Sequence, residues 1–280
     1  MRNFTFKGLF LIAVFMLLGY LSIQAANDDL ITKQITIKLE EAGTLPNKIA
    51  SSEMYKITNL KIIGEINGTD WNMIREMAGR DNRGYGTEGK LSVLDLSEAK
   101  IVKGGDSYYP GDNCYTSNDE IGEKAFKDCS RLTSLTLPVG ITSIGYDAFA
   151  YCSGLTSLTL PAGITSIGEF AFSYCSGLTS IYVYAEKVPR IGRYAFEGCA
   201  SRKCTLYVPK GTYDNYRLSE FGYFENIVEF DATGIDKTTT STDVEEVSRY
   251  SLNGQRLAVP VKGLNIVKYS DGTARKVVVK

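Results

Sequence analysis

The residues of this chain that could do chemistry are six cysteines and 32 carboxylates, and it contains no histidine. Without imidazole it can form no Ser-His-Asp triad, no Cys-His pair and no histidine-ligated metal site. Four cysteines, Cys129, Cys152, Cys175 and Cys199, recur once per 23 or 24 residues. Zinc sites use cysteines a few residues apart, so this spacing predicts small buried residues rather than a metal centre. The sequence predicts no catalytic residue, metal or cofactor.

The cysteines lie in an internal repeat. Residues 121–143 and 144–166 agree at 17 of 23 positions, further units begin at Ile167 and Ile191, and a half-unit begins at Leu91. A fixed period of 20 to 30 residues with Leu-x-x-Leu-x-Leu is the signature of a leucine-rich-repeat solenoid.

The spacing within a repeat predicts the path of one coil. Leu135 and Leu137 point the same way from a short strand, because side chains alternate along a strand. Pro138 and Gly140 then turn the chain. One coil cannot bury its own apolar face, so coils must stack. We therefore predict a β-rich α+β fold built on a solenoid of about four to five coils.

The pattern IGxxAFxxCxxLTSLTLPxGITSIG resembles the BspA-type leucine-rich repeat, which is found largely in secreted or surface proteins of Bacteroides-like bacteria. The resemblance covers residues 91–230. It implies adhesion to host or matrix proteins, or to other bacteria. The segment 206–230 resembles the family's terminal unit, which implies that the last coil is covered by Tyr213, Tyr216, Phe221, Phe224 and Ile227.

The region before the repeats resembles the family's N-terminal cap. Residues 34–39 and 60–66 alternate like strands, and residues 46–54 predict a short helix. A second helix is predicted after Asn67 and Gly68, with Thr69 or Asp70 as its N-cap.

Residues 1–26 have the pattern of a secretory signal peptide. Arg2 and Lys7 charge its start, and the apolar run of residues 9–21 is too short for a membrane span of about 20 residues. We therefore expect an exported mature chain with no membrane span.

We expect four further segments after the signal peptide. They are an N-terminal capping region (27–90), the solenoid with its C-terminal cap (91–231), a Thr-rich linker (232–246) and a small basic β tail (247–280). The tail carries seven Lys or Arg and one Asp, a net charge of +6. Its turn signals at Asn253-Gly254 and Asp271-Gly272 predict a β-meander, and it resembles C-terminal sorting domains of exported proteins of Bacteroides-like bacteria.

The outward positions of the predicted strands are the candidate binding residues, because solenoid sheets often bind along this face. They change from small hydroxyls to tyrosines toward the C-terminal end, where Tyr184 also lies. The alternative is that tyrosine is favoured there for strand pairing. The outward residues are Ser134, Thr136, Ser157, Thr159, Ser180, Tyr182, Thr205 and Tyr207.

Two other surfaces are open to more than one interpretation. Tyr108, Tyr109 and Tyr115 lie in a predicted surface loop (102–118), and they either form a contact site or fold back onto the cap. Positions that differ between the first two repeats lie mostly off the strands. They are either a solvated surface or a second recognition surface.

The leucine-rich repeats and their resemblance to the BspA type imply a binding protein. The net charge of −1 and pI near 5.8 argue against a nucleic-acid partner. We predict an exported cell-surface or secreted bacterial adhesion protein whose partner is an extracellular or surface protein. A glycan-binding or surface-complex accessory role is the alternative, and a carboxylate-based hydrolase is a remote one.

Overall fold

The computed structural model describes residues 29–109, 111, 114–232, 246–251, 256–257, 263–269 and 274–279. The predicted signal peptide, most of the predicted linker and both turn signals of the tail lie outside these residues. The chain divides into two units, between Glu229 and Phe230. None of the described helices is long and apolar enough to cross a membrane.

The first unit contains the strands of the repeats and those of the segments before and after them. They are β1 (Ile35–Lys38), β2 (Asn59–Ile66), β3 (Val93–Ile101), β4 (Gly104–Tyr109), β5 (Cys114–Thr116), β6 (Glu120–Ile121), β7 (Ser134–Thr136), β8 (Ser143–Ile144), β9 (Ser157–Leu160), β10 (Ser166–Ile167), β11 (Ser180–Val183), β12 (Arg190–Ile191), β13 (Thr205–Pro209) and β14 (Asn226–Phe230).

An eight-stranded sheet has the order β1-β2-β3-β7-β9-β11-β13-β14. The repeats contribute one strand each, from β3 to β13, while β1 and β2 precede the repeats and β14 follows them. The pairs from β1 to β13 are parallel. Leu135 and Leu137 both point into the core, at 4% exposure each, as the alternation predicts. Short strands from the same coils form a second parallel sheet with the order β12-β10-β8-β6. The solenoid fold is therefore confirmed.

A third set of hydrogen bonds joins the coils through the segments 123–129, 146–152, 169–175 and 193–199, which we call the turn ladder. In the first coil the backbone N–H groups of Lys124, Phe126 and Asp128 donate to the carbonyls of Tyr146, Ala148 and Ala150 in the next. The flanking donors, Lys124 and Asp128, have φ of 55° and 63°. The left-handed backbone at these residues thus helps to direct their N–H groups toward the next coil.

Aromatic rings form a continuous stack through the core, which we call the aromatic spine. Consecutive ring centroids are 5.0 to 5.5 Å apart. The spine begins in the N-terminal cap, takes one phenylalanine from each coil and ends in the C-terminal cap. Its members are Trp71, Phe126, Phe149, Phe172, Phe196, Phe221 and Phe224.

The cysteine column lies in the core, as predicted, and joins consecutive coils. The Cys175 thiol donates to the carbonyl of Phe149 at 3.1 Å, and the Cys199 thiol donates to the carbonyl of Phe172 at 3.2 Å. Burial raises the pKa of the Cys199 thiol to about 12, which keeps it protonated as a donor at neutral pH.

The N-terminal cap differs from the prediction at two points. Residues 46–54 do not form a helix: a 3-10 helix covers Leu45–Asn47 and turns follow, because Ser51 and Ser52 favour turns over helix in so short a segment. Helix α1 spans Gly68–Met77 and its N-cap is Asn67, not Thr69 or Asp70. Asp70 instead completes a capping box and accepts hydrogen bonds from the backbone.

The C-terminal cap consists of helix α2 (Tyr213–Arg217), a 3-10 helix (Glu220–Tyr223) and β14. Tyr216, Phe221 and Phe224 are buried, as predicted, and Ile227 is half-buried. The prediction was wrong for Tyr213, which is 40% exposed. It lies at the start of α2, with its backbone N–H bound to the Glu229 carboxylate.

The second unit is a four-stranded antiparallel sheet of β15 (Glu246–Ser251), β16 (Arg256–Leu257), β17 (Gly263–Tyr269) and β18 (Ala274–Val279). Its order, β16-β15-β17-β18, corrects the predicted meander. Strand β15 pairs with both β16 and β17.

The aromatic spine predicts where substitution is most costly. Phe149→Ala removes a fully buried ring stacked on both sides, and we expect the free energy of unfolding to fall by about 3–5 kcal/mol in urea denaturation. Tyr85→Ala, at a side chain 68% exposed, serves as the control and should change it by less than about 0.5 kcal/mol. Equal losses of unfolding free energy in the two variants would contradict a stabilising role of the aromatic spine.

The buried thiols predict a pH dependence. The pKa of Cys199 is about 12 in the folded chain, against its ordinary value of 9.0. Its stabilisation is therefore complete below about pH 8 and is lost as pH rises toward 12. In Cys199→Ala we expect a shallower fall of the unfolding free energy between about pH 9 and 11, by up to about 1.4 kcal/mol per pH unit. If the unfolding free energy falls with pH at the same slope in Cys199→Ala as in the unsubstituted protein, the Cys199 thiol makes no such contribution.

Candidate interaction surface

The outward side of the eight-stranded sheet, which we call the strand face, carries the predicted binding residues. Ser134 and Thr136 are exposed, and the corresponding positions of the later coils are half-buried. Parallel pairing aligns them in two columns, so that Ser134 lies opposite Ser157, and Tyr182 lies between Thr159 and Tyr207. The structure therefore brings these positions together.

The N-terminal end of the strand face is charged. The Lys61 ammonium lies 2.6 Å from the Glu98 carboxylate and 3.4 Å from that of Asp95. The hydrogen bond that Lys61 donates to the Glu98 carboxylate raises the pKa of Lys61, against the effect of burial. Burial by itself would raise the pKa of Asp95, but hydrogen bonds from Ser97 and the charge of Lys61 outweigh it and lower that pKa. These charges therefore pair with one another.

The centre of the strand face is made of small hydroxyl groups. The Ser180 hydroxyl donates to the Ser157 hydroxyl at 3.0 Å, so part of the hydrogen-bonding capacity here is used between coils. Beside this column, threonine hydroxyls at the strand starts also bond the preceding coil: Thr156 donates to the carbonyl of Thr133, and Thr179 to that of Thr156. These threonines hold coils in register, which is a structural role.

Three tyrosines meet at the C-terminal end of the strand face, and we call Tyr182, Tyr184 and Tyr207 the tyrosine patch. The rings of Tyr182 and Tyr207 are stacked, with centroids 4.4 Å apart and planes 6° from parallel. Burial raises the pKa of the Tyr182 hydroxyl, and the hydroxyls of Tyr207 and Tyr184 add to the shift. The Tyr182 hydroxyl is therefore uncharged at physiological pH.

The stacked geometry limits what the patch can recognise. Each ring of the Tyr182–Tyr207 pair covers one face of the other, so only the outer face of each ring could stack on a ligand. Rigid tyrosine side chains with hydroxyl groups suit contact with a protein surface. A sugar stacks on an open ring face, and each ring of this pair has lost one such face to the other.

The family to which these repeats belong follows from comparison with known proteins. The family described as BspA type leucine-rich-repeat region matches residues 113–214 in six copies, a little over a third of the chain. The protein carries BspA-type leucine-rich repeats. No curated protein matches the chain.

The hairpin before the leucine-rich repeats is not the open surface that one interpretation of its sequence predicted. Tyr108 is 1% exposed, and its hydroxyl donates to the carbonyl of Glu123 at 3.0 Å. Tyr109 is half-buried beneath the guanidinium of Arg75. Both residues therefore pack onto the cap, which is the second of the two interpretations. Tyr108 has almost no exposed surface for a contact, whereas Tyr109 stays half-buried. Tyr115, at 54% exposure, is the outward one.

The turn ladder carries a second group of aromatic residues that the sequence analysis did not single out. Phe170 stacks on Tyr194 with centroids 5.2 Å apart, and Tyr151 stacks on Tyr174 at 5.0 Å. Tyr194 is 59% exposed. Their only sequence signal is that aromatic residues appear at equivalent positions of successive repeats, and charged residues occupy those positions in the first.

Metal chemistry finds no support in the part of the chain that the structure describes. There, no three side chains of His, Cys, Asp or Glu converge on a point that could hold an ion. The Cys129 thiol has a pKa raised by burial to about 11, which disfavours the thiolate that metal binding requires.

The stacked tyrosine pair predicts an energetic coupling. In a double-mutant cycle of Tyr182→Ala and Tyr207→Ala, we expect the two losses of unfolding free energy to be non-additive by about 0.5–1.5 kcal/mol, because the stacking contact is removed only once. Additive losses in chemical denaturation would show that the rings do not interact in solution.

Proposed function

We propose that this leucine-rich-repeat protein is an exported bacterial binding protein that adheres to an extracellular or surface protein through the tyrosine patch. The observation that carries the proposal is the change along the strand face. Paired charges occupy one end, small hydroxyls the centre, and a neutral group of three tyrosines the other end. Only this last end offers large, rigid and uncharged contact area.

Export rests on the sequence of residues 1–26, with its charged start, short apolar run and small residues near Ala25 and Ala26. The repeat family supports a role in protein–protein interaction. The basic tail is proposed to direct sorting or surface attachment.

A protein partner is preferred to a glycan because of the ring geometry. Stacking removes one face of each ring as a platform for a sugar, whereas tyrosine side chains still suit contact with the side chains and backbone groups of a protein surface. We propose no catalytic activity, since the acidic residues of the strand face are held in ion pairs with Lys61.

The experiment is capture of purified extracellular-matrix and plasma proteins, and of bacterial surface proteins, on the immobilised protein. We expect saturable binding of one such protein. The double variant Tyr182→Ala Tyr207→Ala should weaken this binding roughly 30-fold, the effect of losing one hot-spot residue of about 2 kcal/mol. Circular dichroism would verify that the variant is folded.

The matched control is Tyr85→Ala Leu218→Ala, which removes two exposed apolar side chains elsewhere and should leave binding unchanged. Undiminished binding by the folded tyrosine double variant would refute the patch as the site. A glycan array run in parallel tests the alternative: saturable binding of one saccharide, with no protein captured, would replace the protein partner.

A further inference from the structure

The two ends of the turn ladder differ in how their backbone groups are satisfied. At the first coil, two of the three outward carbonyls have side-chain donors from the preceding segments. The Tyr108 hydroxyl donates to the carbonyl of Glu123 at 3.0 Å, and both the Trp71 indole and the Arg75 guanidinium donate to that of Ala125. Side chains therefore cover most of this end of the ladder.

At the last coil, the corresponding donors have no such partner. In the three preceding coils, the N–H groups at these positions donate to the next coil, as Phe170, Phe172 and Tyr174 do. The equivalent groups of the last coil belong to Tyr194, Phe196 and Gly198. No described residue accepts a hydrogen bond from any of the three. The adjacent strand β12 is the outermost of its sheet, with no strand on its other side among the described residues.

A cleft of about 270 Å³ lies along this open edge. Tyr194, Phe196 and Glu197 line it from the last coil, and Glu220 and Tyr223 line it from the C-terminal cap. Its volume lies just below the range of small-molecule pockets, about 300–1,000 Å³. It is therefore large enough for one side chain with its backbone, and small for a whole organic ligand.

The walls of the cleft are held in place before any ligand binds. The Tyr223 hydroxyl donates to the carbonyl of Cys199 at 2.8 Å, and the Tyr194 ring stacks on Phe170. Tyr194 and Tyr223 are still 59% and 42% exposed, so ring surface remains open. Preorganised walls reduce the ordering cost of binding.

The charge of the cleft selects the ligand. Glu197 and Glu220 are both exposed, and neither forms an ion pair or side-chain hydrogen bond with any described residue. Two unpaired carboxylates between two tyrosines favour a cation, by Coulomb attraction and by cation–π contact with the rings. An anion or a neutral apolar group would meet uncompensated negative charge there.

We propose that this edge is a docking site for an extended polypeptide segment of a partner protein that carries a Lys or Arg side chain. Carbonyls of the segment accept hydrogen bonds from Tyr194, Phe196 and Gly198, as a further coil would. The cationic side chain lies between Tyr194 and Tyr223 and pairs with Glu197 and Glu220. This is strand addition at an open edge, and it is separate from the tyrosine patch.

The test is a titration of the isotope-labelled protein with the peptide acetyl-Thr-Val-Arg-Val-Thr-amide, followed by amide chemical shifts. We expect saturable shifts at Tyr194, Phe196 and Gly198, whose N–H groups gain acceptors. The same peptide with citrulline, which has the shape of arginine without its charge, should bind roughly tenfold more weakly.

Variants localise the charge contribution. Glu197→Gln Glu220→Gln should also weaken binding of the arginine peptide roughly tenfold. The control Glu186→Gln removes an exposed carboxylate outside the cleft and should leave binding unchanged. Absence of saturable shifts at the three amides up to about 50 mM peptide would overturn the site, since a site of about 1 mM would then be filled. Equal binding of the citrulline peptide would overturn the assignment of a cation, and shifts of these amides by methyl glucoside in place of the peptide would overturn the polypeptide ligand.

Discussion

The structure depends on one constraint: a single coil exposes an apolar face that only another coil can cover. The aromatic spine meets this constraint most directly. Rings from successive repeats stack at 5.0 to 5.5 Å from Trp71 in one cap to Phe221 and Phe224 in the other. Around the spine, two parallel sheets, the turn ladder and the thiols of the cysteine column join the same pairs of coils. Residues whose side chains could do chemistry, such as Cys175, therefore serve in packing.

Recognition is therefore left to positions whose side chains do not take part in stacking the coils. Core positions stay apolar from repeat to repeat, whereas Thr136 and Thr159 give way to Tyr182 and Tyr207 on the outside. The aligned columns then turn these isolated substitutions into a continuous surface. The ends of the solenoid differ in a similar way, because side chains of the N-terminal cap satisfy the first coil and the C-terminal cap leaves an edge open at Tyr194.

Much of the fold was predictable from the repeat, because its physics is local and periodic. The spacing of the leucines predicted the strands, and the recurring cysteines predicted one buried position in each coil. Interactions between distant segments were not predictable. Asn67 caps α1 because Asp70 also accepts bonds from the loop at Leu45, and Tyr108 is buried because its hydroxyl reaches Glu123. The cleft at Tyr194 combines a repeat with a cap, and no spacing in the sequence joins Glu197 to Glu220.

The central claim is that the C-terminal end of the strand face binds a protein partner. It is tested most directly by amide hydrogen exchange of the protein alone and with its captured partner. The account predicts slower exchange in β11 and β13, the strands that carry Tyr182 and Tyr207, while β2 and β3 stay unchanged. Unaltered exchange in β11 and β13, with protection elsewhere on the molecule, would contradict it.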